Sequence, residues 1–123
     1  MGKKILDVGQ CDIDNWNITQ MLTNYFDVEV DRIMAHDDAM NAITLGEYDL
    51  VLINRINDAD GSEGMELIRR IKQTHETENV DVMVVSNFPE SQDEAVAVGA
   101  LRGFGKASLN QPATIELLKS VLG

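Results

Sequence analysis

The chain has 123 residues, of which 44% are hydrophobic and 25% charged, as expected for one domain with a real core. Its net charge of −11 argues against binding to nucleic acid or to an anionic membrane, because both require a basic face. The single cysteine, Cys11, excludes a disulfide framework and favours a cytoplasmic protein. No apolar run approaches the roughly 18 residues of a membrane helix. We therefore expect one domain over residues 1–123.

In the first half of the chain, short apolar runs alternate with segments of helical periodicity. Strands are predicted at 4–8 and 28–30, and a strand covered on both faces at 49–53. Asp12 or Asp14 is expected to cap the helix after the first strand, and Asp37 the next helix, which Gly46 ends. The apolar residues that set the inner faces of these helices are Ile18, Met21, Leu22 and Tyr25 in the first, and Ala39, Ala42 and Ile43 in the second.

The second half continues the alternation. A third helix has its apolar face at Met65, Leu67, Ile68 and Ile71, and a buried strand follows at 80–85. Ser91 and Glu94 have the spacing of a capping box and predict the start of a fourth helix, which ends at Gly99. A weak strand is predicted at 101–104. Pro112 then suits the first turn of a final helix, whose inner face is Ile115, Leu118 and Leu122.

Five strands that alternate with five helices predict a doubly wound parallel sheet, since helices supply the long crossovers that parallel strands need. In such sheets, ligands bind beyond the carboxyl ends of the strands. The sequence therefore predicts a functional site at four loop positions, Gly9-Gln10, Asn54-Arg55, Ser86-Asn87 and Gly105-Lys106.

Several segments resemble the receiver domains of bacterial response regulators. Residues 48–53 resemble the third strand of that family, residues 61–67 the opening of its third helix, and residues 82–86 its fourth strand, which ends in a switch Ser or Thr. Gly99-Ala100, with Lys106 seven residues after Gly99, also matches the family spacing. The resemblance spans residues 4–122. It implies a flavodoxin-like sheet of order 2-1-3-4-5 with five helices.

The resemblance also implies a chemistry that this sequence departs from. In the family, an aspartate after strand three accepts a phosphoryl group, and two acidic residues after strand one hold Mg²⁺ with it. Here Asn54 stands at the phosphoacceptor position, and Gly9 and Gln10 stand at the acidic pair. The switch residue Ser86 and the family lysine, Lys106, are retained. We therefore expect a pseudo-receiver that is not an enzyme and uses neither metal nor cofactor.

Two other retained or nearby features bear on the pocket. Phe104 lies one place later than the family's usual aromatic residue, and Lys106 would face only neutral groups, so we expect it to reach solvent or to pair with Asp7 or a loop aspartate. If the alignment is shifted, Asp7, Asp12 or Asp58 becomes a possible pocket carboxylate. One alternative function is therefore a phosphorylatable regulator that uses a different Asp.

A second alternative is a small-ligand sensor that binds an anion near Ser86 and Lys106. The preferred function is phosphorylation-independent signalling in two-component signal transduction through protein–protein contacts, with region 91–123 as the expected partner surface and a homodimer as one form. From Ala100 to Gly123 the one acidic residue is Glu116, against three basic residues, so most of the acidic charge lies elsewhere.

Overall fold

The computed structural model describes residues 2–123, which form alternating strands and helices around one parallel sheet. The elements in chain order are β1 (Lys3–Val8), α1 (Asp12–Tyr25), β2 (Val28–Ile33), α2 (His36–Thr44), β3 (Leu50–Asn54), α3 (Gly64–Gln73), β4 (Val82–Val85), α4 (Pro89–Ala97) and α5 (Pro112–Leu122). The four strands pair in the order β2-β1-β3-β4, and every pair is parallel. The predicted alternation and the five helices are confirmed. None of these helices is long and apolar enough to cross a membrane.

Helices cover both faces of the sheet. In β3, Val51 and Ile53 belong to the apolar cluster shared with α2 and α3, whereas Leu50 and Leu52 belong to the cluster shared with α1 and α5. Alternate residues of a strand point to opposite faces, so a continuous apolar run is what a strand between two layers of helices requires. The sequence pattern at 49–53 therefore predicted both the strand and its burial on both faces.

The fifth strand, predicted at 101–104, is not formed as a strand. The segment runs beside β4, but only one isolated bridge, between Val85 and Phe104, joins the two. The Leu101 N–H donates to the Val82 carbonyl at 2.9 Å, and the Ser86 N–H donates to the Phe104 carbonyl at 3.0 Å. The sheet within residues 2–123 therefore has four strands in the order 2-1-3-4, and the predicted five-stranded order is corrected accordingly.

A side chain takes the place of the missing ladder bonds. Gln92 of α4 is 6% exposed, and its carboxamide lies between β4 and the 101–104 segment. The Gln92 Nε2 donates to the carbonyls of Val84 at 3.0 Å and Ser86 at 3.2 Å, while Oε1 accepts the Gly103 N–H at 2.7 Å. These backbone groups are satisfied by the side chain instead of by one another, which is why the fifth strand stops at a single bridge.

The predicted caps of the first two helices are wrong. The N-cap positions are Cys11 for α1 and Ala35 for α2, and neither makes a side-chain capping bond. Asp12, Asp14 and Asp37 lie inside the first turns, where the helix dipole favours a carboxylate. Each of these carboxylates bonds a basic side chain from another element, and none is left to cap the backbone.

The predicted capping box at the start of α4 is also wrong. The helix begins at Pro89, with Phe88 as the N-cap residue, so Ser91 is already inside the first turn. Proline suits the first helical position because its fixed φ is helical and its missing N–H would have no intrahelical partner. Glu94 does not reach back to the helix start but forms an ion pair with Arg69 of α3 at 3.1 Å.

Other boundary predictions are confirmed. Gly46 follows α2 with φ +76°, and Gly99 follows α4 with φ +109°, a conformation that glycine adopts without strain. The last helix begins at Pro112, as expected. Tyr25 was predicted to face the core but is exposed, because it is the last residue of α1, where the chain leaves the helix.

Candidate functional site

The predicted loops meet at the carboxyl edge of the sheet around a pocket of about 490 Å³. Its lining includes five residues from the predicted positions, Asn54, Arg55, Ser86, Asn87 and Lys106, together with Asp58. Gly9 and Gln10 lie behind this lining at the end of β1. Phe104 is buried beside the end of β4 and lines no part of this pocket.

Asn54 closes the end of β3 and is buried. Its Nδ2 donates a hydrogen bond to the Gly9 carbonyl at 2.9 Å, and the Asp58 N–H donates to the same carbonyl at 2.9 Å. A side-chain amide can make this bond because it has N–H donors, whereas an ionised carboxylate has none. The group at the end of β3 therefore ties two strand ends together.

Gly9 has a conformation and a neighbour that both require glycine. Its φ is +80°, in the left-handed region, and a Cβ at this position would lie 3.1 Å from the Nδ2 of Asn57. Asn57 is buried, and its Nδ2 donates to the Met34 carbonyl while its Oδ1 accepts the Ala59 N–H at 2.9 Å. A side chain at position 9 would therefore be strained by the backbone conformation and would need Asn57 to shift by a few tenths of an ångström.

Asp7 and Gln10 form a buried polar pair on the α1 side of the pocket. Burial raises the pKa of Asp7 to about 6, against an ordinary value of 3.8, while Asn15, Gln10, Arg32 and Lys106 act in the opposite direction. The Asn15 Nδ2 donates to one Asp7 oxygen at 2.8 Å. The other oxygen and both polar atoms of the Gln10 side chain have no hydrogen-bond partner among the described residues.

Lys106 is paired, but with a partner that the sequence did not indicate. Its Nζ lies 2.7 Å from an Asp14 carboxylate oxygen, and the side chains of both residues are about one-third exposed. The hydrogen bond from Lys106 lowers the pKa of Asp14. The expectation that Lys106 would reach solvent, or pair with Asp7 or a loop aspartate, is corrected in its partner: the lysine is partly exposed, and its counterion is Asp14 in the first turn of α1.

Ser86 and the start of α4 form the opposite wall. The Ser86 Oγ accepts a hydrogen bond from the Phe88 N–H at 3.1 Å, so its oxygen is used locally as an acceptor. The Arg55 guanidinium lies over the Phe88 ring, 5.0 Å from its centroid, a geometry in which a cation is attracted to the aromatic face. Arg55 contributes the one basic group of this lining that the structure shows without an acidic partner among residues 2–123.

The other candidate carboxylates are not brought to the centre of the pocket. Asp12 is exposed and forms an ion pair with Arg32 at 2.7 Å, while Arg32 also donates to the Gln10 carbonyl at 2.9 Å. Asp58 is exposed at the pocket rim. Neither stands at the end of β3 or in place of the acidic pair.

The donor set at this site does not fit a divalent cation. Mg²⁺ prefers hard oxygen ligands and is usually held by one or more carboxylates. At the equivalent positions the chain offers Gly9, the amide of Gln10 and the amide of Asn54, whose nitrogen is turned toward the Gly9 carbonyl. Within residues 2–123, no group of three or more His, Cys, Asp or Glu side chains is arranged to hold a metal ion.

Three of the residues that shape the site were missed or misread. Asp14 was considered only as a helix cap, although a carboxylate in the first turn of α1 lies at the carboxyl edge and is therefore within reach of Lys106. No sequence pattern pointed to Asn57, because it lies in an irregular loop and its contact with Gly9 is visible only in the folded chain. Asn15 was also missed. It could have been found from the register of α1, which places its side chain against Asp7.

No protein-family model matches the sequence, and no curated protein matches it. Solved structures do match. The signal receiver domain of a DNA-binding response regulator from Colwellia psychrerythraea is 25% identical, with 96% of each chain covered and a TM-score of 0.76. A chemotaxis response regulator of Vibrio cholerae is 19% identical, with 98% of this chain and 96% of the other covered and a TM-score of 0.70.

A third similar structure is the receiver domain of a sensor histidine kinase from Pseudomonas aeruginosa, with a magnesium ion coordinated in its active-site cleft. It is 17% identical over 99% of this chain and 95% of that one, with a TM-score of 0.71. These likenesses show that the chain has the flavodoxin-like α/β fold found in receiver domains. The fold prediction is confirmed at that level.

Proposed function

We propose that this chain is a receiver-like module of two-component signalling that works through protein contacts without being phosphorylated and without enzymatic activity. The observation that carries the proposal is the hydrogen bond from the Asn54 amide to the Gly9 carbonyl at 2.9 Å. An acyl phosphate requires a carboxylate nucleophile at this point, and the amide is both uncharged and already engaged.

The surroundings of Asn54 support the same conclusion. Phosphoryl transfer depends on positive charge placed against the transferring group, which a metal ion and a lysine normally supply. Here the donor set does not fit Mg²⁺, and Lys106 is neutralised by Asp14 at 2.7 Å. A Cβ at Gly9 would meet Asn57, so a carboxylate at that position would require the loop to move.

The proposed partner surface consists of α4, the 101–104 segment and α5. Gln92 and Ser86 connect it to the pocket, because Gln92 binds the Ser86 carbonyl and the Ser86 N–H binds the Phe104 carbonyl. The basic character expected of this region is reduced in the folded chain, since Arg102 is paired with Asp93 and Lys106 with Asp14. We infer that a partner recognises shape and hydrogen bonding here more than charge, and a homodimer remains one form of such a contact.

The test is an amide NMR titration with Mg²⁺ and then beryllofluoride, a mimic of a phosphoryl group on aspartate. We expect no saturable shifts at Asn54, Ser86 or Lys106 in the wild-type chain. The matched control is a receiver domain with an intact acidic site, which must respond under the same conditions. Saturable, Mg²⁺-dependent shifts in this chain would overturn the proposal and favour a regulator phosphorylated on another carboxylate, with Asp58 at the rim as the first to substitute.

A second candidate function is supported by the pocket itself. Its volume of about 490 Å³ and its lining, which includes Arg55, Ser86 and Asn87, suit a small anion. A ligand of this kind would raise the melting temperature in proportion to the logarithm of its concentration. Stabilisation by inorganic phosphate or sulfate that is lost in Arg55→Gln, but unchanged in the exposed control Arg70→Gln, would support this function over the first.

A further inference from the structure

A second and larger groove lies outside the pocket described above. It runs between α1 and the 106–111 loop and encloses about 700 Å³, within the range of small-molecule sites. Met21 and Leu109, both buried, form part of its lining, and Trp16 stands beside them on α1. Trp16 is 62% exposed. Because covering a large aromatic surface is strongly favourable in water, this residue could contribute to the binding of a ligand.

Side-chain amides dominate the walls of this groove. The five carboxamide residues are Asn17, Gln20 and Asn24 from α1, and Asn110 and Gln111 from the loop. The three on α1 are spaced at i, i+3 and i+7, so they share one face of the helix. All five are exposed, and none of their side chains forms a hydrogen bond within the part of the chain described. Each carboxamide therefore has both donors and an acceptor free for a ligand.

The groove is also uncharged, which is unusual in a chain with 21 acidic residues and a net charge of −11. No carboxylate lines it, and its one cation, Lys106, is neutralised by Asp14 at 2.7 Å. An ionised ligand would find no unpaired opposite charge in this lining. The complementary ligand is therefore neutral, and it presents many hydrogen-bonding groups.

We propose that this groove binds a neutral saccharide. A pyranose ring has an apolar C–H face that can lie on the flat indole of Trp16, and it has neighbouring hydroxyls that both donate and accept. The planar carboxamides of Gln20 and Asn110, and their three neighbours, offer the matching donor and acceptor pairs. Because the groove is open and its polar groups are solvated when empty, the affinity is low, with a dissociation constant of about 1–10 mM for a disaccharide.

The experiment uses the intact chain and reads the ligand at the groove directly. Side-chain NH₂ signals of Asn and Gln are recorded by NMR while maltose, cellobiose, lactose or N,N′-diacetylchitobiose is added, with sorbitol as a polyol that lacks a ring face. We expect one disaccharide to give saturable shifts at Asn17, Gln20, Asn24, Asn110 and Gln111, and a matching change in the fluorescence of Trp16, the only tryptophan. The side-chain signal of Gln73, which is exposed on α3, should not move.

Variants separate stacking and hydrogen bonding from general effects. Trp16→Ala and Gln20→Ala should each weaken binding at least tenfold, whereas Ile13→Ala and Gln73→Ala should leave it unchanged, because these control residues are exposed and lie outside the groove lining. Equal shifts at all exposed amides, or none up to 100 mM of every sugar, would overturn the proposal. So would shifts of the groove signals by a neutral Gly-Ser peptide when no saccharide produces them.

Discussion

Replacing Gln92 with leucine tests whether the edge of the sheet depends on one side chain. Leucine has a similar volume but has neither donor nor acceptor, so the bonds to the carbonyls of Val84 and Ser86 and from the Gly103 N–H all disappear. The position is 6% exposed, so water does not readily take over these bonds. In the wild-type chain the Val84 carbonyl and the Gly103 N–H each bond the Gln92 carboxamide and do not bond each other.

The size of the effect follows from the groups left without partners. A buried donor or acceptor that loses its bond costs about 1–3 kcal/mol. The Gly103 N–H and the Val84 carbonyl lose bonds of 2.7 and 3.0 Å, and the Ser86 carbonyl loses a longer bond of 3.2 Å from the same Nε2. We therefore expect Gln92→Leu to reduce the free energy of unfolding by about 3 kcal/mol. For a chain of this size, the melting temperature should fall by roughly 10 °C.

The assay combines urea unfolding with hydrogen exchange at the Gly103 amide. Gln92→Glu provides a diagnostic comparison, because a carboxylate still accepts the Gly103 N–H but cannot donate to Val84. Protection of Gly103 should therefore be lost in Gln92→Leu and retained in Gln92→Glu, and the exposed control Gln73→Leu should unfold like the wild type. If Gln92→Leu keeps the wild-type midpoint and a protected Gly103 amide, the side chain does not hold this edge and the reasoning is refuted.

Three further perturbations test the carboxyl edge. Asn54→Asp places a carboxylate against the Gly9 carbonyl, so we expect the free energy of unfolding in urea to fall by about 2 kcal/mol at pH 7.5. We also expect the variant to incorporate no phosphate from acetyl phosphate with Mg²⁺, and efficient labelling would contradict this. The pKa of Asp7 is raised to about 6, so between pH 3.8 and 6 the folded state holds a proton that the unfolded chain has lost, and stability falls as the pH rises through that window. Asp7→Asn should therefore stabilise the fold by up to about 3 kcal/mol at pH 7.5 and by little at pH 3.5, and an equal effect at both pH values would refute the assignment. The ion pair with Lys106 lowers the pKa of Asp14, so the pair stabilises the fold above the pH range in which carboxyl groups ordinarily titrate, and this stabilisation is lost as the pH falls. A double-mutant cycle with Lys106→Met and Asp14→Asn should give a coupling energy of about 0.5–1 kcal/mol at pH 7 and none near pH 2.

The fold could be predicted where apolar residues determine the structure. Residues 50–53 are buried on both faces of the sheet, and the helix stops at Gly46 and Gly99 follow from backbone sterics, so sequence pattern and structure agree. β2 extends to Ile33, three residues beyond its prediction, because an edge strand tolerates polar residues such as Asp31 and Arg32 while it pairs with β1. Periodicity alone cannot detect a strand that is held mainly by its neighbour.

The failure of the 101–104 segment to form a strand and the positions of the helix caps could not be predicted, because each depends on a contact between distant residues. A weak apolar run at 101–104 does not indicate that Gln92 will take the backbone hydrogen bonds between this segment and β4. A Ser-x-x-Glu spacing does not indicate that the helix begins earlier, at Pro89. The same holds at the site. The sequence located Asn54, Ser86 and Lys106 at one edge, since parallel strands end together, but the partner of Lys106 lies on another element.

The residues at positions 9 and 54 depend on one another physically. Gly9 adopts φ +80° with Asn57 packed where its side chain would begin, and its carbonyl accepts the Asn54 amide. An aspartate at position 54 would lose that bond, and an aspartate at position 9 would be strained and would meet Asn57. Neither change alone restores three carboxylates to these positions, because Gln10 and the other unchanged residue would still be uncharged. Under the proposed function, the neutral site is an alternative arrangement in which the Asn54 amide connects the ends of β1 and β3.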